Sequence, residues 1–495
     1  PAAVRQTLAT NYIDFTTQST SAADVNWAQQ YLPDLMEKEA EVFGNRTISG
    51  FLSQVGAEES MSADQVIWSE QGRLHLAYQG TVATGSGLVT AIKNIDQTSQ
   101  AEVHAVRKGA TVVGVVSGVV FKAFVTEGIE ASETQLKIKP YGGTNLDNLS
   151  GISAGNATIK FFVYGSEFGK GTDAMGESVE PQFKTFKNNP LIIKDHFEIN
   201  GSDTAQIGWI EVTSENGASG YLWYMKSEHE NRLRWEDYIE MSMVEGVLKT
   251  GGQGGANGIA LGYTAGASSI TVGGTNQNAK GTEGFFAALE ARGNVYQGFG
   301  SQAAAGAGGG ALTDFDAVLK QLDKQGAIEE NMLFLNRELS LEIDDILAMQ
   351  NGAYPGAAGV AHGTSYGVFN NSADMALNLG FTGYRRGSYD FYKTDWKYLN
   401  DWSTRGGFGD VEGVLVPAGT STVYDQQLGQ NIKRPFLHIR YRASETENRK
   451  NKSWITGSVG TSSPTTDIDE MRVIYLSERC LITQAANNFV LFKAA

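Results

Sequence analysis

The stretch YGSEFGKGTDA, Tyr164 to Ala174, follows the apolar run ATIKFFV and has the outline of a strand feeding a phosphate-binding loop. Such a loop needs G-x-x-x-x-G-K-[ST], so that backbone amides wrap the phosphates, the lysine reaches the terminal ones and the hydroxyl holds magnesium. Here only three residues separate Gly165 from Gly169-Lys170, and Gly171 takes the hydroxyl position. The following segment, DAMGESVEP, holds a glycine and a proline, so no helix N-terminus backs an anion. The spacing predicts a glycine loop between extended segments, not a nucleotide site.

Other chemistry-bearing residues are equally dispersed. The six histidines (His75, His104, His196, His229, His362, His438) form no H-x-x-x-H or H-E-x-x-H pattern and have no cysteine partner, which argues against zinc. The single cysteine, Cys480 in YLSERCLITQ, lies between expected strands and reads as a buried apolar residue. Asp467, Asp469 and Glu470 offer oxygen ligands but lack the glycine and ligand count of a calcium loop. No local pattern singles out a carboxylate pair for glycoside chemistry. No catalytic residue, cofactor or metal is implied.

Two segments combine aromatic and basic residues. In YRRGSYDFYKTDWKYLNDWSTRGGFGD, Tyr384 to Asp410, three-and-four spacing predicts a helix capped by Ser388, with Tyr389, Tyr392, Trp396 and Leu399 on one stripe and Phe391, Tyr398 and Trp402 on the next. Aromatics beside Arg385, Arg386, Lys393, Lys397 and Arg405 could stack sugars or bases. Asp390, Asp395 and Asp401 offset that charge, and a packing or subunit-contact helix is the better reading, because Tyr, Trp and Arg are favoured at interfaces. In KRPFLHIRYRASETENRKNK a strand turns Leu437, Ile439 and Tyr441 one way and His438, Arg440 and Arg442 the other. A row of arginines is costly to bury unless carboxylates from a neighbour meet it, which suits a chain that pairs with copies of itself.

Composition narrows the class. Hydrophobic residues at 41% and charged residues at 19% describe an ordered globular chain. There are 59 glycines but only nine prolines in 495 residues, which points to many turns and flexible extensions. A net charge of -16 argues against a dedicated nucleic-acid binder. One cysteine excludes an internal disulfide, and no apolar run of the length of a membrane helix is present.

The elements that must carry these residues come in a definite order. Residues 1 to about 62 read as an arm with scattered anchors such as Trp27, Tyr31 and Phe43. From Gln65 the text turns β-like, and short Val/Ile/Thr/Phe runs broken by Gly109, Gly114, Gly118 and Gly128 predict a small antiparallel unit between about 100 and 143. Tyr221 to Leu248 predicts one long helix, charged nearly all round, better suited to a strut than to a compact core. Residues 251 to 311 are glycine-rich around an amphipathic piece, Glu283 to Gly293. Then a helix capped by Thr313 with Phe315, Val318, Leu319 and Leu322 on one face, a strand MLFL and a helix opened by Asn336 predict a small α/β domain. Strands MRVIYLS and NNFVLFK close the chain.

That order, with the phrases YRRGSYDFYKTDWKYLNDW, LNRELSLEIDDILAMQNG and RVIYLSERCLITQ, resembles the major capsid proteins of tailed phages with the Hong Kong 97 fold, and among them the crAss-like phage group. The resemblance implies an α+β fold with an N-arm (1–62), an E-loop region (63–195) bearing the inserted β unit, a P-domain with spine helix (196–250), an A-domain with glycine-rich loops (251–430) and a C-terminal return to the P-domain (431–495). It implies a shell of hexamers and pentamers around packaged double-stranded DNA, in the virion after assembly in the host cytoplasm, with portal and head auxiliary or decoration proteins as partners and no membrane. Candidate subunit-interface residues are Trp68, Arg73, Lys170, Arg385, Arg386, Tyr389, Trp396, Trp402, Arg440 and Arg442. The alternatives are a carbohydrate-binding or hydrolytic β-rich protein using Trp396 and Trp402, and another virion component such as a tail tube or sheath.

Overall fold

The computed structural model describes residues 48, 50–55, 57–72, 74–95, 103–152, 155–172, 183–206, 211–213, 219–248, 270–272, 275–277, 281–299, 310–326, 328–350, 382–425, 430–459 and 464–494. Residues 1–48 and 49–495 form separate units, and the barrel, sheets and helices of the described residues belong to the second. The arm anchors at Trp27, Tyr31 and Phe43, the glycine-rich text of 251–269 and 300–309, and Arg73 lie outside the described residues.

The β excursion is larger than its sequence suggests. The unit expected over 100–143 is a closed barrel of six strands: Ala77–Ala83, Leu88–Asn94, Ala110–Val116, Val119–Glu127, Leu136–Pro140 and Asn156–Ser166. The expected span contains only three of them, because Ala77–Ala83 and Asn156–Ser166 pair with each other across about 75 intervening positions. Local text carries no sign of that closure. Each strand turns alternate residues inward, and Val82, Val89, Val112, Phe121, Ile159 and Phe161 fill the interior. The tightest connection is the two-residue turn Ser117-Gly118, both with positive φ. That geometry matches the twist of a hairpin and favours glycine.

The barrel is joined to the rest by a two-stranded ribbon, Val66–Gln71 antiparallel to Phe183–Asn188. Asn188, wholly buried, fixes the ribbon's base. Its amide donates to the carbonyls of Leu481 (2.6 Å) and Glu283 (3.0 Å) and accepts from Glu283 N (2.7 Å) and Thr282 Oγ1 (3.2 Å). All four hydrogen-bonding positions of the side chain are used.

A five-stranded sheet is built on the 14-residue strand Glu470–Thr483. MRVIYLS, expected as a strand, extends through Cys480, expected between strands, to Thr483. Leu191–Asn200 pairs along one edge; Leu437–Arg442 and Lys452–Gly457 pair end to end along the other. Ala57–Met61 adds a parallel strand outside Leu437–Arg442. The long helix runs Leu222–Glu245, close to its expected span. It lays Trp235, Ile239 and Met243, four residues apart, toward the sheet, with Trp235 and Tyr475 ring centroids 5.4 Å apart.

A second, mixed sheet orders Asn294–Gln297, Val490–Lys493, Val411–Pro417, Glu330–Leu335, Tyr389–Asp395 and Thr382–Arg386. Helices Gly310–Lys324 and Arg337–Gln350 pack on it through Phe315, Val318, Leu322, Leu339 and Ile343. The first begins at Gly310, so Thr313 lies inside it and is not its cap. Asn336 caps the second as its sequence predicts, its side chain accepting from Leu339 N at 2.8 Å.

The helix expected from Ser388 to Gly406 is instead a hairpin, Thr382–Arg386 with Tyr389–Asp395, followed by a single helical turn, Lys397–Asn400. Gly387, at φ 64°, makes the turn in open space. Tyr389, Phe391 and Lys393 alternate inward, and a β-sheet position wins because Tyr389–Asp395 is the central partner of both Glu330–Leu335 and Thr382–Arg386.

Candidate protein-contact site

After the turn Lys397–Asn400 the chain runs through Asp401–Asp410 to the strand Val411–Pro417, and this short loop is tied down at nearly every residue. The Asp401 carboxylate accepts from Ser403 N (2.8 Å) and Ser403 Oγ (2.6 Å), bonds that hold its pKa below the usual range. Thr404 Oγ1 donates to the carbonyl of Tyr398 at 2.7 Å. Arg405 bridges Glu245, at the end of the long helix (3.1 Å), and Asp410 (2.9 Å), while its guanidinium lies over Phe286 and Phe408. Tyr398 donates to the same Glu245 carboxylate at 2.5 Å. Burial, reinforced by that bond, pushes its phenol pKa far up, so it stays a donor.

From this fixed loop two aromatic rings project into solvent, Trp402 at 87% exposure and Phe408 at 78%. Beneath it the opposite holds. Trp396 is buried, stacked on Phe51 at 4.3 Å and 21°, with Phe286 and Phe334 at its edges. Phe51 opens the short helix Phe51–Val55, and the Glu240 carboxylate accepts its backbone N–H (2.9 Å) and that of Gly50 (2.6 Å). Burial pushes the Glu240 carboxyl up to about 7 despite those bonds. An open depression of about 370 Å³, lined by Leu191, Met241, Val247, Thr282 and Glu245, borders the loop's anchor. Rigid, exposed aromatics can bind a partner surface at little entropic cost.

The other interface candidates are scattered. Trp68 is buried on the ribbon beneath Arg292, which also lies 4.4 Å over Phe186 and pairs with Glu283 at 2.6 Å. Lys170 is exposed in the turn after the strand Asn156–Ser166. On the hairpin, Arg385 pairs with Asp390 (3.2 Å), Arg386 with Asp316 (2.6 Å), and the buried Tyr389 donates to Asp323 (2.5 Å). The arginine row of Leu437–Arg442 meets carboxylates of its own chain. Glu59 takes Arg440 (2.8 Å) and Arg434 (2.5 Å), and Arg442 pairs with Asp64 and with Glu478 (3.6 Å). These residues form no single surface. Phe408 escaped sequence reasoning, although its setting, GGFGD, is the signal, since an aromatic between glycines belongs to no packed element.

Cys480 is fully buried, and burial pushes its thiol up to about 12, which leaves no thiolate for chemistry. Among the described residues no three His, Cys, Asp or Glu side chains converge as a metal would need. Among them too, no helix is long and apolar enough to cross a membrane.

No protein-family model matches the chain, and no curated protein does. Solved structures do. A chain of Microbacterium phage Oxtober96 superposes with a TM-score of 0.39 at 8% identity, covering 96% of this chain and all of its own. The capsid of cyanophage P-SCSP1u gives 0.38 at 8% identity over 98% and 99% of the two chains. The capsid of a native GTA particle gives 0.36 at 11% over 96% and 99%. These likenesses are loose and by themselves assign neither a fold family nor a role.

Proposed function

We propose that this chain is the major capsid protein of a tailed phage, a shell protein of Hong Kong 97 architecture allied to the crAss-like group. In this reading residues 1–62 are the N-arm, 63–195 the E-loop region, 196–250 the P-domain with the spine helix Leu222–Glu245, 251–430 the A-domain and 431–495 the return to the P-domain. It has no enzymatic role. Its partners are copies of itself in hexamers and pentamers, a portal, head auxiliary proteins and the packaged DNA it encloses.

One observation carries the reading. The chain between positions 72 and 183 leaves and returns through adjacent antiparallel strands, and in between it closes a core drawn from residues 76 to 163 alone. A domain carried out on a ribbon, together with the fixed and exposed Trp402 and Phe408, suits a subunit whose surfaces are completed by neighbours. The net charge of -16 fits a wall that does not adsorb its genome.

Electron microscopy and sedimentation of the expressed chain test this. Closed shells or capsomers of megadalton mass are expected, whereas a monomer at every concentration overturns the reading. Trp402 favours one second reading, glycan stacking. Retardation of a stable monomer on glycan columns, abolished by Trp402→Ala, would decide for it.

A further inference from the structure

The outer face of the barrel has a pattern that its own fold does not use. On the three neighbouring strands Val119–Glu127, Ala110–Val116 and Asn156–Ser166, the cross-strand register sets Val120 opposite Val115 and Val115 opposite Lys160. The next outward row sets Lys122 opposite Val113 and Val113 opposite Phe162. The two rows lie two residues apart on one face, so apolar side chains form a continuous patch with a lysine at each of two opposite corners. Val115 is 42% exposed, Val120 64%, Phe162 48%, and Tyr164, farther along the same strand, 49%. None of these seven positions is a carboxylate. Neither Lys122 nor Lys160 forms an ion pair with any described residue, although both are exposed.

We propose that this face is a docking surface for a second copy of this chain. The inference rests on the shell-forming reading and adds which surface makes the contact. Charge identifies the occupant. Residues 77–166 hold seven Lys and Arg against six Asp and Glu, so the remainder of a chain of net charge -16 carries -17. A weakly basic, apolar face on an otherwise acidic protein complements that protein's own surface. A nucleic acid is the poorer fit, since two lysines separated by valines cannot track a row of phosphates. The face belongs to the barrel and its complement to the acidic remainder, so the contact is head-to-tail, the type that generates rings and extended lattices.

The test uses the full chain. Val115→Thr with Val120→Thr and Phe162→Thr removes the apolar patch while keeping β-forming residues, and Lys122→Glu with Lys160→Glu reverses the corners. Each is expected to raise the protein concentration needed for assembly at least tenfold with an unchanged melting temperature, the charge variant losing much of its defect at high salt. A photo-crosslinking amino acid at position 120 keeps the question open to measurement should a variant misfold. Links between copies in assembled material are expected, and links only within one chain would overturn the proposal. If wild type assembles and both variants match it, the docking face is wrong and the shell reading stands. If wild type never assembles, both fall.

Discussion

The barrel and the outermost strand of the five-stranded sheet are held by opposite means. The barrel leaves no sheet edge, and its interior is filled by Val, Ile and Phe side chains, among them Val82, Val112 and Ile159 at essentially zero exposure. The sheet instead ends in a short parallel strand, Ala57–Met61, whose outward text AEESM has little to bury beyond Met61. Charge holds it there. Glu58 pairs with Arg479 and Lys450, Glu59 with Arg434 and Arg440, and Asp64 with Arg442. A closed apolar core needs nothing from outside to persist, whereas a strand held by ions responds to salt and pH. The first suits a domain carried out on a ribbon.

The contrast predicts effects of different size and character. The largest comes from Phe161→Ala in the barrel interior, since deleting a buried ring costs about 3–5 kcal/mol. Because the barrel's core, among the described residues, shares none with the other buried clusters, the loss should stay local. Limited proteolysis is expected to cut between 77 and 166 in the variant while the remaining fragments keep their melting transition; a matching collapse of the whole chain would show the two regions to be one cooperative unit.

Next in size is a proton effect at Glu240. Its carboxyl is raised from 4.5 to about 7 in the folded chain, chiefly by burial. Between those values the folded state holds a proton that the unfolded state has lost, so stability falls as pH rises from 4.5 to 7 and is level above it. The shift corresponds to about 3 kcal/mol. His438 works the other way: burial, with Arg440 and Arg434 nearby, lowers it from 6.5 to about 4, so stability falls as pH drops through that window. The two oppose each other in wild type where their windows overlap. Glu240→Gln removes one arm, so its melting temperature should rise with pH through the His438 window, from about 4 to 6.5, and gain on that of wild type between 4.5 and 7; a profile parallel to that of wild type would refute the assignment.

What the sequence discloses follows the range of the interactions. The hairpin Ala110–Val116 with Val119–Glu127 is legible because its alternation and its Ser117-Gly118 turn are local. The helix Arg337–Gln350 is legible through its Asn336 cap. The closing strands of the barrel are not, because their partners are dozens of residues away. At Tyr389–Asp395 both periods fit the text, and the neighbouring strands decide. The candidate site divides in the same manner. Trp396 and Trp402 look equivalent in sequence, but Phe51, 345 positions earlier, covers the first. The arginines of Leu437–Arg442 announce a need for carboxylates, while nothing local says that Glu59 of the same chain supplies them.

The smallest effect tests the other half of the contrast. Glu59 is 39% exposed and shared by two arginines that are each less than a quarter exposed, so it sits between a surface pair, worth under about 1 kcal/mol, and a buried one, whose breaking costs about 3–5. Glu59→Gln keeps the shape and removes the charge, leaving Arg434 and Arg440 facing each other across a neutral amide. A loss of about 1–2 kcal/mol is expected in dilute buffer, read as a lower denaturant midpoint. At about 1 M salt, where the screening length shrinks to ~3 Å, counter-ions should relieve the repulsion between the arginines and erase much of the difference. The Phe161→Ala defect, made of lost contacts and a cavity, should change little over the same range. If both deficits respond to salt alike, the strand Ala57–Met61 is held by packing after all, and the distinction between the two regions is one of position only.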